Sequence, residues 1–79
     1  MKNKIIEVIA RMIKVEAIDR LKSDITLNYV AEYSIDSLSF IKIIVEIEKT
    51  FNIEIDDDYI GEMYSVQNIL GYIAQIYEN

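Results

Sequence analysis

Asp36-Ser37-Leu38-Ser39-Phe40-Ile41-Lys42-Ile43-Ile44-Val45-Glu46-Ile47-Glu48-Lys49-Thr50-Phe51-Asn52 is the stretch on which the fold turns. Its apolar residues recur at helical spacing. Leu38, Ile41 and Val45 form one stripe, Ile44, Ile47 and Phe51 the next, and Phe40 and Ile43 lie beside them. Asp36 is a good N-cap, because its short side chain can accept from the first-turn N–H groups. Asn52 is suited to end the helix, since asparagine tolerates the left-handed conformation found there. Apolar residues cover more of the circumference than one core face needs. The helix is therefore either central and nearly enclosed, or it keeps part of its surface for a partner.

Working outward, the N-terminal segment repeats the pattern. From Lys2 to about Val15, the series Ile5, Ile9, Met12 and the pair Ile6, Ile13 predict an amphipathic helix with the lysines and Arg11 outside. Residues 17–35 show no sustained period. Ser23, Asp24, Thr26 and Asn28 are turn and cap formers, so this reads as a long loop pinned by Ile25, Leu27, Tyr29 and Val30, with room for one short helical turn. Loops of that length in a small domain are usually functional, and this one runs directly into Asp36-Ser37. After Phe51, the segment from Asn52 to Ile55 alternates polar and apolar residues but has no second strand to pair with, so it reads as an extended connector. Asp56-Asp57-Asp58 starts a short helix to about Glu62, with acids favouring the first turn. Ser65 caps a last helix carrying Val66, Ile69, Leu70, Ile73 and Ile76. The expectation is an all-α domain spanning 1–79, a small bundle of three main helices and one short one.

Composition narrows the chemistry. The chain has 79 residues, 52% of them hydrophobic, enough for one core and too few for two. Cysteine and histidine are both absent, which removes disulfides, thiolate ligands and the commonest general base and metal ligand. The N-terminus lacks the uninterrupted apolar run of a secretory signal, and no segment approaches the length of a membrane span. The expected location is the cytoplasm, with no membrane partner.

Net charge is −6, unevenly spread. Lys2, Lys4, Arg11 and Lys14 against Glu7 leave residues 1–15 at +3, and the remainder at −9. An acidic surface repels phosphate backbones, so nucleic acid is excluded and proteins with basic patches are favoured.

Ser37 follows an N-cap, so its hydroxyl belongs at the positive end of the longest helix. An anionic group attached there would meet backbone N–H groups and a favourable dipole. No base is available to make Ser37 a nucleophile in its own right. It reads as a residue modified by another enzyme, which then carries the added group. Taken alone, Asp36-Ser37 is more often an ordinary helix start.

The longer pattern changes that. Asp36-Ser37-Leu38, the helix through Glu46-Ile47-Glu48-Lys49-Thr50-Phe51, and the following Asn52-Ile53-Glu54-Ile55 resemble the acyl carrier protein signature. The likeness continues through Ser65-Val66-Gln67-Asn68 and Tyr72-Ile73, and upstream through Thr26, Tyr29 and Val30. The resemblance implies a right-handed bundle of three longer helices and a short third one. It implies that a phosphopantetheinyl transferase moves 4′-phosphopantetheine from coenzyme A onto Ser37, between Asp36 and Leu38. The arm's thiol would then hold acyl or aminoacyl groups as thioesters, placed there by loading enzymes and synthases. The protein itself would be a non-catalytic monomer. Three positions depart from the family pattern: Ser34 where glycine is frequent, Tyr33 where leucine is frequent, and Asp56 where proline is frequent.

For partner contact the expected residues are Leu38, Ile41 and Val45 through apolar contact, Lys42 and Glu48 on the same helix, and Glu54, Asp57 and Asp58 for electrostatic steering. Lys42 with Glu46 and Glu46 with Lys49 have the spacing of intrahelical ion pairs, worth a few tenths of a kcal/mol each. The acid run fails as a calcium loop. Starting from Asp56, its fifth position is Ile60 and its twelfth Gln67. Fatty-acid-synthase carriers tend to have a strongly acidic second helix, whereas here lysines interleave with glutamates. That inclines the reading toward a polyketide or nonribosomal-peptide-type pathway. Fatty acid synthesis, D-alanyl transfer (Val45-Glu46-Ile47-Glu48 is similar to that subfamily) and an unmodified acidic interaction module are the alternatives. Phe40 is read as narrowing any apolar channel between helices, favouring small or exposed cargo.

Overall fold

The structure, a computed structural model, describes residues 1–78. Six helices follow one another: α1 (Lys2–Ile13), α2 (Ala17–Ser23), α3 (Tyr29–Glu32), α4 (Ser37–Phe51), α5 (Asp57–Ile60) and α6 (Val66–Glu78). No strand occurs among the described residues, and Ile53 to Ile55 form the expected extended connector.

α1 is the hub. It packs against α2, α4 and α6, and Ile5, Ile6, Val8, Ile9 and Ala10 are all completely buried. The core continues through Leu21 of α2, Tyr29 of α3, Ile43, Ile44 and Ile47 of α4, Ile55 and Met63 of the connecting segments, and Val66, Ile69 and Ile73 of α6. Lys2, Lys4 and Arg11 lie outside, as the periodicity requires. Met12, expected on the apolar stripe, is instead 40% exposed, one residue before α1 ends.

The principal correction concerns residues 17–35, which are not one long loop. Ala17–Ser23 is a helix that buries Ala17 and Leu21 against α1. Seven residues are too few to show a period, and tertiary burial makes this helix where propensity alone would not. α3 is the short turn anticipated there, with the Asn28 side chain accepting from Ala31 N–H at 3.0 Å.

Hydrogen bonds then pin this region to the far end of the chain. Gln67 N–H donates to the Ile25 carbonyl at 2.9 Å and Tyr29 N–H to the Tyr64 carbonyl at 3.0 Å. The buried Tyr29 hydroxyl donates to the Met63 carbonyl at 2.8 Å. Burial raises the Tyr29 phenol far above its ordinary pKa, so it remains a neutral donor.

Replacing Ile47 by Ala should lower unfolding free energy by about 2–5 kcal/mol, since a completely buried side chain is truncated among helices that cannot all close in. Tyr29→Phe should cost about 1–3 kcal/mol by leaving the Met63 carbonyl without its donor. Urea titration followed by circular dichroism measures both.

Candidate functional site

The loop from Tyr33 to Asp36 delivers the chain to α4. Ser34 sits at φ 51°, in the left-handed region, where the family pattern favours glycine. The serine therefore adopts the backbone shape of the usual residue, at a cost of about 1–2 kcal/mol for its Cβ. Ile35 N–H then donates to the Val30 carbonyl at 2.9 Å and closes the turn.

Asp36 caps α4 as expected. Its Oδ1 accepts from Ser39 N–H at 2.8 Å, and its carbonyl accepts from Phe40 N–H at 2.9 Å. The side chain thereby uses one of the first-turn donors that lack an intrahelical acceptor, that of Ser39, and the N–H groups of Ser37 and Leu38 have no intrahelical partner. The Ser39 backbone N–H, and then its side chain, hold the Asp36 carboxyl below its ordinary value. Ser37 is the first residue of α4 and is exposed. An exposed hydroxyl, two open N–H groups and the positive end of a 15-residue helix are what a phosphodiester needs there.

Leu38, Ile41 and Val45 are 66%, 43% and 40% exposed, so α4 is not enclosed and leaves apolar surface in solvent. Lys42 is exposed beside them, as are Glu54, Asp57 and Asp58 farther along the chain. Glu48 stands apart from these residues. It is half-buried and accepts from Ile55 N–H at 2.8 Å, which ties the connector to α4. The intrahelical pairs read from spacing do not form among the described residues. Glu46 turns instead to Arg11 of α1, at 3.4 Å. That pairing, 35 residues apart, carries no local signal in the sequence.

At the far end of α4, Asn52 has φ 53° and its N–H donates to the Glu48 carbonyl, the anticipated left-handed cap. Asp56 caps α5 by accepting from Asp58 N–H at 2.9 Å. α5 stops at Ile60, short of Glu62. Ser65 Oγ accepts from Asn68 N–H at 3.1 Å at the start of α6. Among the described residues, no group of three or more acidic side chains is placed to hold a metal ion, and no helix is long and apolar enough to cross a membrane.

Comparison with known proteins agrees with this geometry. Residues 3–73 match the family described as "Phosphopantetheine attachment site". An acyl carrier protein of Cylindrotheca sp. (strain N1) is 37% identical over 57 residues, covering 72% of this chain and 71% of that protein. An acyl carrier protein of Thermobifida fusca (strain YX) is 35% identical over 48 residues, 61% of each. No solved structure matches. The chain belongs to the acyl carrier protein family, whose domain is the place of covalent 4′-phosphopantetheine attachment.

Two outcomes follow from the caps. The Asp36 pKa is lowered by folding, so its contribution is complete above the unfolded value near 3.9 and is lost as pH falls through the folded value. Asp24, held down by Thr26, behaves alike. Asp36→Asn keeps a capping oxygen without the charge and should make the decline in melting temperature below about pH 4 shallower than in the parent. Ser34→Val should lower stability measurably, because a β-branched side chain is strained at positive φ.

Proposed function

We propose that the protein is a discrete, non-catalytic carrier that holds acyl or aminoacyl groups as thioesters on a 4′-phosphopantetheine arm at Ser37. The observation that carries this is the placement of Ser37: an exposed hydroxyl opening α4, beside two unpaired N–H groups, in a chain of the family that bears this arm. In the loading step Ser37 Oγ forms a bond to the β-phosphorus of coenzyme A, and the bond from that phosphorus to the bridging oxygen breaks. Adenosine 3′,5′-bisphosphate departs, and the hydroxyl proton passes to a base of the transferase. The Ser37 and Leu38 N–H groups and the α4 dipole then stabilise the phosphodiester. The thiol of the bound arm supplies the acyl-carrying chemistry, which this chain lacks because it has no cysteine.

The partners are the phosphopantetheinyl transferase and the enzymes that load and unload cargo. Leu38, Ile41 and Val45 provide apolar contact, and Glu54, Asp57 and Asp58 steer basic surfaces toward it. The carrier is read as one domain over residues 1–79, monomeric and cytoplasmic. Its pathway is read as polyketide or nonribosomal-peptide-type. The support is that Glu46 and Glu48 are engaged by Arg11 and by Ile55 N–H, which leaves Lys42 and Lys49 to set the charge of the outer α4 face. The half-buried Phe40, its ring centroid 6.5 Å from that of Tyr29, supports small or exposed cargo.

Incubation with coenzyme A and a broad-specificity phosphopantetheinyl transferase should raise the intact mass by one phosphopantetheine, and Ser37→Ala should gain nothing. Equal gain by both, or by neither, overturns the reading. The double variant Asp57→Lys, Asp58→Lys should still fold, as circular dichroism would show, and lose about tenfold in transferase kcat/KM at low salt, with the difference shrinking as salt rises.

A further inference from the structure

Among the clefts on the described surface, three stand out, and one of them lies beside Ser37. Two have linings remote from Ser37 in the chain: one among Glu54, Asp56, Asp57 and Tyr72, the other between α5 and α6 at Tyr59, Gln67 and Gln75. The third, about 220 Å³, lies where the end of α1, the Tyr33–Asp36 loop and the first turns of α4 meet. Met12 and Ile13 of α1, Tyr33 of the loop and Ile43 of α4 give it apolar walls. Asp36 and Ser39, on either side of Ser37, form its edge.

Resting on the carrier reading, we infer that this cleft is the docking site of the arm itself, which folds back from Ser37 toward α1 between visits to partner enzymes. Pantetheine is a chain of mixed character, with a geminal dimethyl group, a hydroxyl and two amides. The cleft matches that mixture, setting Met12 and Ile13 for the methyl groups against Ser34 and Ser39 for the polar atoms. Its volume is below the roughly 300–1,000 Å³ of pockets that enclose a whole drug-sized molecule. It therefore takes the dimethyl-bearing middle of the arm and leaves the thiol outside. Tethering makes a weak site sufficient. A group on a short flexible linker is present at millimolar effective concentration, so millimolar intrinsic affinity fills the cleft about half the time.

Two features shape the loop wall of the cleft. Ser34 turns the loop through a left-handed residue, and Lys14 Nζ sits 5.5 Å from the Tyr33 ring centroid, holding that ring on the loop side. Met12, 40% exposed in the bare chain, becomes the outer wall of the docked state.

The test compares apo and phosphopantetheinylated protein by two-dimensional amide NMR, after intact mass has established that the arm is present. Docking predicts shifts at Met12, Ile13, Tyr33, Ser34 and Ile43. A nitroxide on the arm's thiol should broaden the same resonances. Shifts confined to Ser37–Ile41, with broadening spread evenly or centred on α5, overturn the inference and leave the carrier reading standing. Failure to gain mass overturns both. Met12→Trp, which fills the cleft, should still gain the arm and should lose the shifts at Tyr33 and Ser34. Val45→Trp, on the other face of α4, should keep them. If Met12→Trp does not fold, the nitroxide experiment on the unaltered chain decides alone.

Discussion

The burial of α1 is the constraint on which everything else rests. Ile5, Ile6, Val8, Ile9 and Ala10 are withdrawn completely from water, and no single neighbour can cover residues that lie this far around a helix. α2, α4 and α6 each take a share. At about 25 cal/mol per Å² of apolar surface, this burial is the principal favourable contribution in a chain with no disulfide and no metal cluster among its described residues. Because α1 claims the inner face of α4, the outer face with Leu38, Ile41 and Val45 is left in solvent. The exposed apolar face of α4 is thus the remainder of the packing problem.

The second organising element is the clasp between residues 25–29 and 63–67. Two backbone bonds and the Tyr29 phenol join segments that local sequence gives no reason to associate. The clasp holds α3 in place, and α3 holds the Val30 carbonyl that receives Ile35 N–H just before the Asp36 cap. The position of Ser37 is therefore set from two directions, by the core beneath α4 and by the strap leading into it. At the other end of α4, the Glu48 side chain fixes the end of the connector that leads into the acidic residues.

Much of this was legible in the residues themselves. The period of α4, the caps at Asp36, Asn52, Asp56 and Ser65, and the exposed hydroxyl at the helix start follow from local rules that the structure obeys. What escaped was non-local. α2 has a helical pair in Ala17 and Leu21, but only the presence of α1 makes that pair worth burying. Glu46 was assigned to its lysine neighbours and found Arg11 instead, because the packing of α1 on α4 brings that guanidinium within 3.4 Å. The cleft beside Asp36 had no signature at all, being the gap between three elements whose spacing the sequence does not state. Only Ser34 hinted at it, as a residue standing where glycine is frequent.

The contact between α1 and α6 also has a meaning in time. On the ribosome α1 is made first and α6 last, so the helix with the most to hide waits for the one that completes its cover. The clasp waits as well, because its Met63, Tyr64 and Gln67 partners emerge late. The nascent chain therefore carries its most buried helix incompletely covered until α6 is free, and the strap that sets Ser37 tightens in the same event. Loop closure over so many residues is only modestly costlier than over a few, and the chain has no proline to impose a slow isomerisation. The loop that presents Ser37 and the finished core are thus completed together, once synthesis has passed α6.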